Sequence, residues 1–515
     1  MKKISVITIV FIIYLLSPTK VAAQYFSRHL DFNNCSEYGG HIFQVGDSFI
    51  IQNHSLCGES HQIEAFSIFR VDLNGEIIWQ KEIDELKLYT PKAILPDGNN
   101  FFLICAPPVS QGQLDKNIIL RAYNLDGELL NEWAYGEDEI EEYPTAIAKL
   151  NNYILIVEKY TQASTGKRKG FILFIDDETF EVKRKIAFND NFSSFFARYL
   201  LVDSEGNILL PMIGLYNSLF TGQLIKYDST GTKLWETDLN SNDYFWNLTI
   251  DVAELQNGNY AVGWHSDDYN HSWPAIVYGV SGAGEILWHR TLPDTVVGKN
   301  IDRIFSTQNG DVIGLGLDFD IGGGYEFDDT GGWIFRLNQE GEVLWERTIV
   351  DISLEDVLPF GQFLLGGTEM DNGDLVFTGL IQDTFPNADP FINNPNTWLL
   401  RLDNEGCLVP NCGSLQVIVG DSVFTDIKEV PTFEEDVRVK LFPNPVSDKM
   451  TIDIEGDFSF DKNNGANIFI YDIEGRLSLF QKAKAFPKEI DISNLANGLY
   501  FTNIGGRFVT KFIKQ

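Results

Sequence analysis

The chain has 515 residues, five cysteines and a formal net charge of -34. That charge repels nucleic acid and anionic membrane surfaces, which argues against both as partners. The hydrophobic fraction of 44% and the aromatic fraction of 13% are those of a globular chain rather than a disordered one.

The N-terminus reads as an export signal. Lys2 and Lys3 precede an apolar run at residues 4–16, and Val21-Ala22-Ala23 precedes Gln24. A charged start, a short apolar stretch and small residues at a cleavage point define a secretory signal peptide over residues 1–23. The run is too short to span a bilayer, which needs about 20 apolar residues. No cysteine follows the cleavage point, so no lipid anchor is expected, and no transmembrane segment is expected in the mature chain.

The middle of the chain is a repeat. One phrase recurs as FRVDLNGEIIWQKEI (69–83), RAYNLDGELLNEWAY (121–135), IKYDSTGTKLWETDL (225–239), YGVSGAGEILWHRTL (278–292) and FRLNQEGEVLWERTI (335–349). A degenerate copy lies at 173–187 and a truncated one at 400–413. Their turn residues are Gly75, Gly127, Thr179, Gly231, Gly284, Gly341 and Gly406, spaced by roughly fifty residues or more. A second strand–turn–strand phrase precedes the main one, as in LQNGNYAVGW (255–264) and MDNGDLVFTG (370–379). Each unit thus holds two hairpins, A–B and C–D, with tight glycine turns. Four-stranded units at this period predict an all-β, seven-bladed β-propeller over residues 24–413. The seventh unit lacks its last strand. The alternating segment YFSRHLDF (25–32) could supply it and close the ring, which removes an exposed edge. Trp79, Trp235, Trp288 and Trp345 each follow their turn glycine by four positions. The G-x-x-x-W phrase is similar to the repeats of quinoprotein-like propellers, in which the Trp packs between blades. It is expected here as a packing device rather than as a set of sites.

Both hairpin turns of a unit are short, so the longer B–C and D–A connections mark the opposite face as the place for binding. The candidate binding residues are Trp246, Trp264, His265, Asp267, Asp268, His271, Trp273, Asp318, Asp320, Tyr325 and Asp328. Aromatic faces beside carboxylates suit a glycan, a peptide or a protein surface. The carboxylates could also take Ca²⁺, although no EF-hand spacing is present. Beyond that possible Ca²⁺ no metal site or other cofactor is assigned, and no hydrolase, metalloprotease or nucleotide-binding motif appears in context, so no catalytic residue is assigned. Disulfides are expected between Cys407 and Cys412, which bracket a proline turn, and between Cys35 and Cys57, with Cys105 left as a small buried residue.

Residues 414–436 are polar and acidic and read as a linker. Residues 437–515 read as a small all-β unit. The segment Pro443-Asn444-Pro445 cannot sit in a central strand, and turns fall at Gly475 and Gly498. The string PNP, the hairpin YDIEGR (471–476), LANGLY (495–500) with Tyr500, and a basic last strand with Lys511 and Lys514 occur in this order. The segment resembles the type A C-terminal sorting domain of the Bacteroidetes type IX secretion system, a small Ig-like β-sandwich. The resemblance implies the type IX machinery as a partner. It implies carriage through the periplasm and across the outer membrane, followed by release or surface anchoring. Three roles fit the whole: a binding or adhesion module, an extracellular glycan hydrolase or lyase using carboxylates from separate blades, or an envelope scaffold.

Overall fold

The computed structural model describes residues 25–30, 36–57, 63–82, 90–106, 118–136, 140–162, 168–188, 194–216, 219–239, 246–267, 275–292, 298–318, 330–351, 362–381, 396–409, 412, 415–418, 438–455, 466–471, 477–504 and 508–515. Nearly all of these residues lie in strands or tight turns.

Seven antiparallel sheets follow one another among the described residues, at 36–82, 90–135, 140–188, 194–238, 246–292, 299–351 and 363–402. Each is built from strands A to D in chain order, except the seventh. Its fourth strand is Phe26–Leu30, which pairs antiparallel with Asn396–Leu402, placing Phe26 opposite Arg401 and Leu30 opposite Thr397. The N-terminal segment therefore fills the place the truncated seventh unit leaves open. The sixth sheet gains a fifth strand: Leu415–Ile418, at the start of the expected linker, runs parallel to Val343–Asp351. Cys407 and Cys412 form a disulfide just before it. The partner cysteines expected at Cys35 and Cys57 fall outside the described side chains.

The cores show that the sheets close a ring. Side chains of a middle strand alternate sides, so one strand feeds two cores. In the first sheet, Ile50 packs with Phe101 and Leu103 of the second, whereas Phe49 and Ile51 pack with Val376 and Leu399 of the seventh. The same holds at every junction. One apolar cluster lies between each pair of consecutive sheets, and another between the seventh and the first. Strands buried on both faces read as continuous apolar runs, as in Leu375–Ile381, where every residue is buried. Neighbouring sheets touch chiefly through their first strands, so the A strands face inward and the D strands outward. This is a β-propeller.

Local chemistry explains the repeat. In the first C–D turn, Asp72 Oδ1 accepts from the backbone N–H groups of Asn74 (2.8 Å) and Glu76 (2.9 Å). Asn124, Asp228, Asn338 and Asp403 do the same in their own turns. The turn glycine is required twice over. Gly341 has φ +78°, and a Cβ there would lie 2.6 Å from Trp288 of the preceding sheet. Gly127, Gly284 and Gly406 face Trp79, Trp235 and Trp345 in the same way, while Gly75 faces Phe26 of the N-terminal strand. The Trp79 and Trp235 indoles also donate to the carbonyls of Leu125 and Gly282 in the next turn, both at 2.9 Å. The Trp thus packs between blades as expected. Phe26 takes its place at the ring closure.

The tail has two sheets. One orders Arg438–Phe442, Lys449–Glu455 and Lys488–Asp491; the other orders Leu477–Ala483, Ala466–Tyr471, Gly498–Ile504 and Phe508–Lys514. Met450, Ile452, Ile468, Ile470, Ile490 and Phe512 form the core between them.

Candidate functional site

The inner strands carry the departure from regularity that builds a site. In six of the seven, the pairing register slips midway: between Gly39 and Ile42, Pro91 and Ala93, Pro144 and Ala146, Thr249 and Asp251, Ile301 and Arg303, and Leu364 and Gly366. In the fourth sheet the inner strand is split into Ser194–Phe196 and Leu201–Val202. A bulge leaves a residue outside the ladder and re-aims its neighbours. The residues at this level include His41, Thr145, Arg198, Tyr199, Asp302 and, just beyond the slips, Asp251 and Arg303.

Arg303 gathers this set across the ring. Its Nη1 donates to His41 Nδ1 at 2.9 Å, so the His41 proton resides on Nε2. Its Nε lies 3.5 Å from Asp251 Oδ2, and its guanidinium lies 5.0 Å over the Tyr199 ring. Tyr199 in turn meets His41 edge-on, with ring centroids 5.9 Å apart. One arginine therefore joins the first, fourth, fifth and sixth sheets. Burial pushes the Asp251 carboxyl up to about 6, against the pull of Arg303 and of the Val252 and Ile304 N–H groups. Burial pushes Asp302 up to about 7, opposed only by Arg198, and pushes the Tyr199 phenol up to about 12. Ionisable groups perturbed in this way mark a functional-site candidate.

A cavity of about 480 Å³ opens beside the cluster on the short-turn side. His41, Arg303, Phe43, Phe305, Ile94 and Glu369 contribute to its lining. Glu369 Oε2 accepts from the Gln308 N–H at 2.5 Å, which ties that carboxylate to the turn of the preceding sheet.

Of the binding residues chosen from sequence, Trp264 and Asp318 have described side chains, and neither belongs to this cluster. Trp264 is not on a loop: it lies in the strand Tyr260–Asp267 and is fully buried among Leu209, Leu224, Val252 and Tyr278. Its parity with Tyr260 and Val262 turns it into the core between the fourth and fifth sheets. Asp318 is a strand terminus, buried, accepting from Thr348 Oγ1 at 2.6 Å and lying 3.6 Å from Lys299 Nζ. It belongs to a packing network, not to a loop. Trp246, His265 and Asp267 are strand residues by their backbone, but their side chains, with Asp268, His271, Trp273, Asp320, Tyr325, Asp328 and Gly475, lie outside the described residues. Among the described residues, no group of three or more His, Cys, Asp or Glu could hold a metal ion. In the tail, Asn444 ties the PNP segment to the last strand: it donates to the Lys511 carbonyl (3.2 Å) and accepts from the Ile513 N–H (3.0 Å). Pro443 and Pro445 flank it on exposed backbone, Lys511 is exposed, Lys514 is buried, and Tyr500 stacks on Phe512 with centroids 5.4 Å apart.

Sequence reasoning missed the channel cluster because the bulges that define it leave no periodic trace. A usable signal did exist: His41, Arg198-Tyr199 and Asp302-Arg303 occupy comparable places in their units without repeating.

A search of curated proteins finds no similar sequence. Among solved structures, the chain is similar to the β-propeller domain of the Trilobed protease from Pyrococcus furiosus (12% identity, 72% of this chain and 98% of that one, TM-score 0.41). It is also similar to the phage phi92 endosialidase (8% identity, 95% and 87%, TM-score 0.43) and to a Hadza microbial sialidase (10% identity, 74% and 92%, TM-score 0.41). At these scores the propeller assignment rests on the sheets and cores themselves. No helix among the described residues is long and apolar enough to cross a membrane. Residues 440–515 match the model of the secretion system C-terminal sorting domain, a tail that directs export to the cell surface or the extracellular space. The chain is therefore a β-propeller protein carrying a type IX secretion sorting domain.

Proposed function

We propose that this is an exported seven-bladed propeller, residues 24–413, that works as a binding module. A signal peptide at 1–23 starts its export. A linker and an Ig-like sandwich at 437–515 deliver it to the surface of a Bacteroidetes cell. The observation that carries the binding reading is the Arg303 cluster, in which ionisable side chains from four sheets converge beside a cavity of about 480 Å³. Pockets of roughly 300–1,000 Å³ hold small ligands. The long B–C and D–A connections read from the sequence are the second surface open to a glycan, peptide or protein, with Ca²⁺ as a cation their carboxylates could take.

The test is a glycan and peptide array probed with the mature chain, with and without Ca²⁺. A hit lost in Arg303→Gln and kept in Trp273→Ala places the ligand in the channel. The reverse pattern places it on the long loops and removes the channel from this reading. A hydrolase or lyase reading is favoured by one observation, the Asp302 carboxyl held near neutrality, where an acid–base group works best. Turnover of an array hit that Asp302→Asn abolishes would move the protein to that class. Truncation after residue 436 is expected to leave folded propeller in the periplasm. Normal surface delivery of that truncation would sink the sorting role of the tail.

A further inference from the structure

We propose that the Cys407–Cys412 disulfide is a redox-dependent clasp: its oxidation fastens the strand Leu415–Ile418 to the sixth sheet and so sets the point at which the tail leaves the propeller.

The strand is too small to hold itself. It is four residues long, lies at the edge of its sheet and pairs with Val343–Asp351 alone, with Leu415 opposite Thr348 and Ile418 opposite Asp351. A strand of that length offers few ladder bonds against the entropy of ordering it. Its anchor is the buried Gln416. The Nε2 of that side chain donates to the Gly406 carbonyl at 2.7 Å, and its Oε1 accepts from the Leu408 N–H at 2.8 Å. Both partners lie at the end of the seventh unit's turn, and the residue between them is Cys407. That end is firmly held. The Cys407 N–H donates to Asp403 Oδ1 at 2.8 Å, Gly406 faces Trp345, and Leu408 and Ile418 enter the same sixth–seventh core. Without the disulfide the chain must run from Leu408 to Leu415 before the strand begins. With it, the chain is tied again at Cys412, three positions ahead of Leu415. Shortening the free run lowers the entropy lost when the strand docks.

Oxidation is thereby converted into geometry. Parallel pairing carries the chain along Val343–Asp351 away from the C–D turn. A docked strand therefore releases the tail beside Asp351, the residue that also holds Ser27 and His29 of the closing strand. An undocked strand leaves the tail hanging from Leu408, which lengthens its tether by about ten residues, on the order of 35 Å when extended. Disulfides persist outside reducing compartments, so the clasp shuts in the exported chain.

The experiment is peptide-level hydrogen exchange on the full mature chain, comparing the oxidised protein, the same protein reduced with dithiothreitol, Cys412→Ser and Gln416→Ala. In the reduction the Cys407–Cys412 bond breaks and dithiothreitol closes to its cyclic disulfide, its two thiols supplying the two electrons and two protons that leave both cysteines as thiols. Exchange in the peptide covering Leu415–Ile418 should rise by roughly fivefold or more on reduction and in Cys412→Ser, while Leu375–Ile381 in the ring stays protected. Gln416→Ala, with the disulfide intact, should give a comparable rise, which separates loss of the anchor from any effect of free thiols. Reduction of the folded protein stands in where Cys412→Ser fails to fold. Unchanged exchange at Leu415–Ile418 after reduction overturns the proposal. An equal rise at Leu375–Ile381 overturns it too, because the disulfide would then be a staple of the whole ring rather than a clasp on one strand.

Discussion

The rim of the propeller and its channel obey opposite rules. At the rim, one solution recurs: an Asx-type turn, a glycine at positive φ, and a Trp or Phe from the preceding blade against that glycine. In the channel, the same structural level is occupied by His41 in one blade, Tyr199 in another and Asp302 in a third. Repetition at the rim is what stability asks of a ring whose every junction must hold. Variation at one level of the channel is what the proposed binding role would ask, because a ligand breaks the symmetry. In a repeat protein, the informative positions are those where equivalent slots disagree.

Three substitutions test that division and a fourth probes the tail, and the largest effect belongs to the rim. Trp345→Ala removes a nearly buried ring from the sixth–seventh junction and is expected to cost about 3–5 kcal/mol by chemical denaturation. A loss below about 1 kcal/mol would deny the Trp its packing role. Gly341→Ala combines a strained φ with a Cβ 2.6 Å from Trp288 and should cost about 1–3 kcal/mol.

Asp302→Asn should act in the other direction. The folded protein holds the Asp302 proton up to about 7, above the range of an unfolded chain. Its contribution is therefore favourable at low pH and is lost as the pH rises from about 4 to 7. The Asn variant should gain on the order of 1–3 kcal/mol at pH 8, flatten stability between pH 5 and 8, and leave the rim intact. A variant no more stable at pH 8 than at pH 4 relative to wild type would show that Asp302 is ionised without penalty. The smallest effect is expected in the tail. Asn444→Ala removes two hydrogen bonds to the last strand and should cost about 1–2 kcal/mol, read as faster amide exchange at Ile513.

The legibility of the fold follows the same division. The turn glycines, the Trp column and the strand supplied by Phe26–Leu30 were all readable, because each satisfies a local rule that leaves the same residues at the same spacing. The fifth strand on the sixth sheet was not, since Leu415–Ile418 is short and its partner is distant in sequence. Trp264 and Asp318 were read into the long B–C connections, whereas the strands Tyr260–Asp267 and Val312–Asp318 extend far enough to hold and bury both. The channel cluster depends on bulge positions and on which sheets face each other across the ring, and neither is encoded as a period.

The closure by Phe26–Leu30 also fixes an order of assembly. Ser27 accepts from the Trp398 indole and donates to the buried Asp351, while His29 meets the same carboxylate. Ser27 and Trp398 are 371 residues apart. The first strand of the ring in chain order must therefore wait for one of the last, and closing so long a loop is the slow, non-local step of such a topology. A chain cut short before residue 396 would leave both its first strand and the edge of its last sheet without a partner. Ring closure thus serves as a test of completeness, because only a whole propeller can bury its own beginning.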